Sequence, residues 1–403
     1  DGYWNTAFGS GALAANTTHT HNTAFGHHAL TAATSSFNDA FGWNALLANT
    51  TGNNNACFGI SSGRNITTGS ENICMGSGAG SGLTNASRNI SLGRETLQRV
   101  NGGNNVGIGY QAIQGTSGAT QTAHNNVGIG YQALHDVTSA NKHVAVGYQA
   151  LESVTSGLNS VAIGYQALMS TNTNDATAVG GSALKLNTTG GSNTAVGTYC
   201  LDANTAGGYN TGLGMMALSG NTTAYNNTGL GAYALRDTTI GDGNTAVGSQ
   251  ALIHNTAGNN NTAVGYLALF DNTTGSTNTA VGRSALENNT TGARNTAVGN
   301  DALDANTQGV DNSAVGNGAL GSNTTGDYNV AVGRNALSQN LTGDSNTAVG
   351  LSALSSNTAS NNTAVGRNAL HDNTSGTANT AVGYEALKES TTGNYNTALG
   401  HGA

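Results

Sequence analysis

Four tyrosines recur at one place in successive segments, Tyr110, Tyr131, Tyr148 and Tyr165, each followed by a glutamine, Gln111, Gln132, Gln149 and Gln166. Gathered on one surface, these phenol rings and amides make a stripe that can receive sugar rings by stacking and hydrogen bonding. A simpler origin stands beside it. Repeated segments stack identical side chains, and such ladders are stabilising on their own; the simpler reading is preferred. The one dense group of histidines is His19, His21, His27 and His28, residue types that ligate transition metals and that also serve as ordinary exposed loop side chains.

Other reactive residues give weaker patterns. Cys57, Cys74 and Cys200 form no zinc-type spacing. Cys57 and Cys74 are seventeen apart. On adjacent strands their Cα atoms would lie about 4.8 Å apart, close enough for a disulfide, although burial in place of alanine explains them more simply. Asp202, Asp237, Asp271 and Asp304 are scattered singly, with no Gly-Gly-x-Gly-x-Asp calcium repeat. No Ser-His-Asp set or carboxylate pair recurs, and Gly207-Gly208 lacks a phosphate-loop context, so no enzyme and no cofactor is expected. Asn187, Asn272 and Asn289 stand in Asn-x-Thr triplets, which are glycan acceptors in some secreted proteins and are also ordinary turn chemistry.

The elements that must position these residues are written in a repeat that fills the chain. One unit runs Asn278-Thr279-Ala280-Val281-Gly282, Arg283-Ser284-Ala285-Leu286, then Glu287 to Arg294, and the next begins at Asn295. The motif glycine occurs 24 times from Gly9 to Gly400, with eighteen spacings of 17 residues, four of 16 and one of 21. An apolar residue always precedes it: Phe8, Phe25, Phe41 and Phe58 first, mostly valine later. Leucine follows four positions on, except at Ile113, Gly63 and Gly80. Asparagine stands four before it in 21 of 24 units. Length changes fall only between the leucine and the next asparagine, which marks that stretch as the adjustable turn.

Composition agrees with a repeat array. Among 403 residues there are 60 glycines and no proline, 8% are charged, and the net charge is −8. Twelve lysines and arginines give no footprint for nucleic acid or anionic lipid. No stretch is long and apolar enough to span a bilayer as a helix, so no membrane insertion is expected. The chain starts at Asp1 in mid-pattern and stops in mid-pattern, which reads as part of a longer polypeptide.

Seventeen residues with a fixed glycine and a β-branched Thr-x-Val fit one coil of a parallel β-solenoid or β-roll better than a helix pair. The expected coil has a strand at Asn-Thr-Ala-Val, a corner at glycine, a second short strand at Ala-Leu and a turn at Asn-Thr-Thr-Gly. Valine and leucine are expected inside, with threonine on the valine side, and the asparagine column is expected to form an amide ladder. Residues 1–403 then form one array of 24 coils, a rod of about 110 Å at about 4.8 Å per coil. The early phenylalanines imply a thicker core. Gly63 and Gly80 imply an irregularity around 60–82, and the long unit implies a protruding loop around 115–125.

The Asn-Thr-Ala-Val-Gly pattern resembles the shaft repeats of phage-type tail-fibre proteins over the whole chain. The piece Asn159-Ser160-Val161-Ala162-Ile163-Gly164 is similar to the head repeat of trimeric autotransporter adhesins, whose unit is shorter. No segment resembling the self-cleaving chaperone of tail-fibre relatives is present. Both resemblances imply a homotrimer or higher fibrous assembly, located outside the cell or on a virion. In such a trimer, His19 and His21 of three chains could bring six imidazoles to one iron or zinc ion on the axis.

The function expected is a non-enzymatic fibre shaft of a phage-like tail fibre or extracellular adhesin, holding a receptor-binding element away from its base, with a cell-surface glycan or receptor as partner. The alternative is a subunit of an extracellular filament, glycosylated or not. An ice-binding solenoid ranks last, because ice-binding faces need outward threonine rows and the clearest threonine column is expected inside.

Overall fold

The structure is a computed structural model that describes residues 2–118 and 121–403. It is an all-β parallel solenoid with one three-residue strand per coil. The coils fall into two compact units, Asp1–Ala206 and Gly207–Ala403. The first holds twelve strands, from β1 (Thr6–Phe8) to β12 (Thr194–Val196); the second holds twelve, from β13 (Thr211–Leu213) to β24 (Thr397–Leu399). Inside each unit every strand pairs in parallel with the next, residue for residue, as in Thr279↔Thr296, Ala280↔Ala297 and Val281↔Val298.

Exact register turns each position of the repeat into a straight row. The middle strand residue points inward: Ala280 and Ala297 are fully buried, as are Ala285 and Leu286 from the opposite wall. Threonine and valine, two apart, share the other side and lie outward. The expected inward valine row is therefore corrected: Val281 and Val298 are each 37% exposed. Alternation couples threonine to valine, so either both go in or alanine does. The coil is narrow, and a methyl group is what fits between the strand and the leucine row.

Two neighbouring coils bear this out by exchange of volume. Where leucine is replaced by Gly63 and Gly80, the inward alanine is replaced by Cys57 and Cys74. A Cβ placed on Gly63 or Gly80 would collide with the sulfur of Cys57 or Cys74, respectively. Ile66 and Leu83, both fully buried, fill the rest. Through this stretch around 60–82, β4 (Ala56–Phe58), β5 (Ile73–Met75) and β6 (Ile90–Leu92) keep their register. The early phenylalanines do not thicken the core either. Phe8 is 65% exposed, because its row is the outward valine row.

Among the described residues the expected second strand is absent. In its place the chain turns through left-handed residues: Ser284 at φ 55, Leu286 at φ 53 and, before the next strand, Arg294 at φ 57. Each such corner costs on the order of 1 kcal/mol or more for a residue with a Cβ. In return the amides point along the stack. Leu286 N donates to Ala302 O (3.0 Å), Ser284 N to Tyr266 O (3.0 Å) and Arg294 N to Ser276 O (3.1 Å). The motif glycine makes the remaining corner. Gly282 has φ 138, and a Cβ there would press on the carbonyl of Gly299 in the next coil.

The asparagine column forms its ladder inside the coil. Asn278 Oδ1 accepts the backbone N–H of Asn295 (2.9 Å), and Asn278 Nδ2 donates to Gly292 O (2.8 Å). A second buried ladder runs through the Asn-Thr-Thr-Gly turn, with Asn289 Nδ2 donating to Asn272 Oδ1 (2.8 Å) and to Gly292 O (3.0 Å). A third uses threonine: Thr290 Oγ1 donates to Thr307 O (2.9 Å). Of the loop expected around 115–125, Ala119 and Thr120 lie outside the described residues. On either side of it the ladder holds, with Asn126 N donating to Asn105 Oδ1 at 3.0 Å.

Candidate interaction face

Because two side chains per strand point outward, each unit carries a two-column face whose chemistry follows from the sequence at those two positions. In the first unit the column before the glycine begins with stacked rings, the centroids of Phe8–Phe25, Phe25–Phe41 and Phe41–Phe58 lying 4.7, 6.2 and 4.8 Å apart. From β5 to β10 (Val161–Ile163) both columns are aliphatic. Ile73 and Met75, Ile90 and Leu92, Val106 and Ile108 are followed by Val127 and Ile129, Val144 and Val146, Val161 and Ile163. All twelve are at least partly exposed, and no charge interrupts them. In the second unit the same face pairs threonine with valine or leucine, except that Ser313 and Val330 replace the threonine in two strands.

The tyrosine stripe is assembled as the repeat requires. Ring centroids of Tyr110, Tyr131, Tyr148 and Tyr165 are 5.4, 5.0 and 5.3 Å apart, and the planes are tilted by 21°, 6° and 11°. The rings therefore cover one another's faces and leave edges and hydroxyl groups outward. The guanidinium of Arg94 lies 5.8 Å from the Tyr110 ring centroid, and Tyr165 at the other end is the most exposed of the four. The glutamines form an amide ladder beside them: Gln132 to Gln111 (3.1 Å), Gln149 to Gln132 (3.3 Å) and Gln166 to Gln149 (2.9 Å). It is anchored by Glu95, which accepts from Gln111 at 2.9 Å. That hydrogen bond, ahead of nearby Arg94, holds the Glu95 carboxyl below the usual range.

His21 sits in an aromatic stack, 4.8 Å from Trp4 and 4.8 Å from Phe37 by ring centroids, with Nδ1 against Thr20 Oγ1 at 3.0 Å. His19 is held by its backbone, whose carbonyl accepts from Asn5 and Asn16 (2.8 and 3.1 Å). Among the described residues no three His, Cys, Asp or Glu side chains converge as a metal site within one chain.

The cysteines are free and buried, with Cys57 and Cys74 on adjacent rungs. Burial pushes the Cys57 thiol well up and the Cys200 thiol to about 12, which leaves both as inert thiols at neutral pH. Asn187, Asn272 and Asn289 are fully buried, and their amide nitrogens are engaged in hydrogen bonds. A folded coil thus offers no access to them as glycan acceptors.

One grouping escaped the sequence reading. Asp237 and Asp271, taken as isolated, flank His254 across three successive coils. Asp237 lies 2.9 Å from His254 Nδ1, and Asp271 lies 4.0 Å from Nε2. Arg236 closes on Asp237 at 2.6 and 2.7 Å and, as the first cause, holds that carboxyl low. The signal was the equal spacing of 17 residues between Asp237, His254 and Asp271. Comparison with known protein families finds no matching family model, and no curated protein matches the chain.

Proposed function

We propose that this chain is the shaft of an extracellular or virion-borne fibre, in which copies associate side by side, as a homotrimer, and hold a receptor-binding element at a distance. The observation that carries the reading is the aliphatic outward face of β5 to β10, set on a coil whose interior is already complete. Twelve contiguous aliphatic side chains, all at least partly exposed, form an uncharged patch of the kind that marks an association surface. The buried leucine row and two buried asparagine ladders, with a threonine ladder at the turn, hold the coils together without a ligand. Those features suit a component that bears load and spans distance.

Light scattering on the purified chain tests the association. The reading expects a mass three times that of the chain, reduced to that of one chain by Val127→Asp with Val144→Asp, circular dichroism remaining unchanged. A native chain that is monomeric at high concentration would count against it. Immunogold labelling is the test of the setting: label along fibres on particles or cells supports the reading, and label confined to the cytoplasm refutes it.

A further inference from the structure

The second unit presents a different surface from the aliphatic face of the first. Along β13 to β18 (Thr296–Val298) the outward columns are Thr211, Thr228, Thr245, Thr262, Thr279 and Thr296 beside Leu213, Leu230, Val247, Val264, Val281 and Val298. The strands are in exact register, so both columns are straight. Their spacings follow from β geometry: about 4.8 Å between coils and about 6.6 Å between the two columns along a strand. The spacing between coils lies close to the shorter repeat distance of water oxygens on an ice surface.

The two threonine rows of this unit differ in what their hydroxyl groups do. In the turn, Thr256, Thr273, Thr290 and Thr307 each donate Oγ1 to the carbonyl of the next coil, between 2.9 and 3.1 Å. On the face, the hydroxyl groups of Thr245, Thr262, Thr279 and Thr296 make no hydrogen bond to any described residue, while the residues are partly exposed. β-Branching fixes their χ1, and the alanine row beneath locks the strand, so the array is rigid before any ligand arrives. Methyl groups of threonine and valine order the adjacent water, and the free hydroxyl groups anchor it by hydrogen bonds.

We infer that this threonine–valine face binds the ordered water of an ice surface. The ligand is a lattice with a repeat close to the spacing between coils, and the face carries no charge that would disrupt such a lattice. This occupies other coils than the aliphatic face proposed for association. It also reverses the reason for ranking ice binding last, which was that the threonine column would lie inside.

The test is thermal hysteresis and ice-crystal shaping with the full chain. The native protein is expected to shape ice and depress freezing. Thr245→Lys with Thr279→Lys is expected to abolish both; the same column accepts a charged Asp39 in the first unit, so the fold should tolerate the change. Ser249→Lys with Asn317→Lys, placing the same charges on exposed positions after the motif glycine, is expected to keep full activity. Circular dichroism checks that all three are folded. A folded native chain that leaves ice growth unaltered overturns the proposal, and so does a folded threonine variant as active as the native chain or a control variant as inactive as the threonine variant.

Discussion

Asn340 and Asn373 each bury a side-chain oxygen that has no hydrogen-bond partner. Both orphans have a local cause. The coil after Asn340 is one residue short, and its asparagine, Asn357, turns its amide to Ala359 O (2.7 Å) instead of back along the ladder. After Asn373 the equivalent position is Ser390, which cannot reach with an amide. A buried acceptor left unpaired costs about 1–3 kcal/mol. Ser390→Asn should therefore extend the ladder to Asn373 and raise stability by about 1 kcal/mol, measured as a shift in the urea midpoint at constant slope. A second residue-scale effect is electrostatic. Burial, ahead of repulsion from Asp301, raises the Asp304 carboxyl above its usual range. The folded state then holds that proton more tightly than the unfolded state does. Its contribution is fully present below the ordinary carboxylate range and is lost as pH rises through the raised folded value. Asp304→Asn should accordingly stabilise the protein at neutral pH and leave it unchanged in acid, as urea titrations at the two pH values would show.

At the scale of the coil, the sequence made some features legible and hid others. The period, the strand, the glycine corner and the first asparagine ladder were all readable, because each depends on one residue type recurring at one place. The side of the strand that faces inward was not. Thr-Ala-Val alternates either way, and hydrophobicity alone favours burying valine; the deciding quantity is the width of the cavity, which depends on how sharply the rest of the coil turns. Those turns were hidden as well, since Leu286 and Ser284 are not residues that announce a left-handed corner. Occasional glycines in the same columns, Gly318 after the motif glycine and Gly243 before the strand, carry φ 62 and 69 and were the available hint. The Asp237–His254–Asp271 group was hidden for another reason. Its members look isolated until the period is used to place them on adjacent rungs.

For the whole molecule, the contacts that matter run between one coil and the next, so stability should be the sum of coil terms and nearest-neighbour terms. Every row continues if one full period is removed and none continues if half a period is. Excising residues 283–299 joins Gly282 to Asn300, which stands in the same place after its own glycine, Gly299. The rows through Ala280, Leu286, Asn289 and Asn295 are then rejoined by equivalents from the following coil. Excising residues 283–290 instead would set Thr291 where Arg283 stood, push a turn segment into the leucine row and bring asparagine amides against aliphatic side chains. The expected outcome is that the first deletion keeps the β circular dichroism per residue and melts within a few degrees of the full chain. The second should lose β signal in the flanking coils, and protease cleavage should appear between Gly282 and the next intact strand. Equal behaviour of the two deletions would mean that the 17-residue spacing does not set the register. The ladders could not then be the source of stability, because a register that tolerates half a period cannot rest on rows of identical side chains.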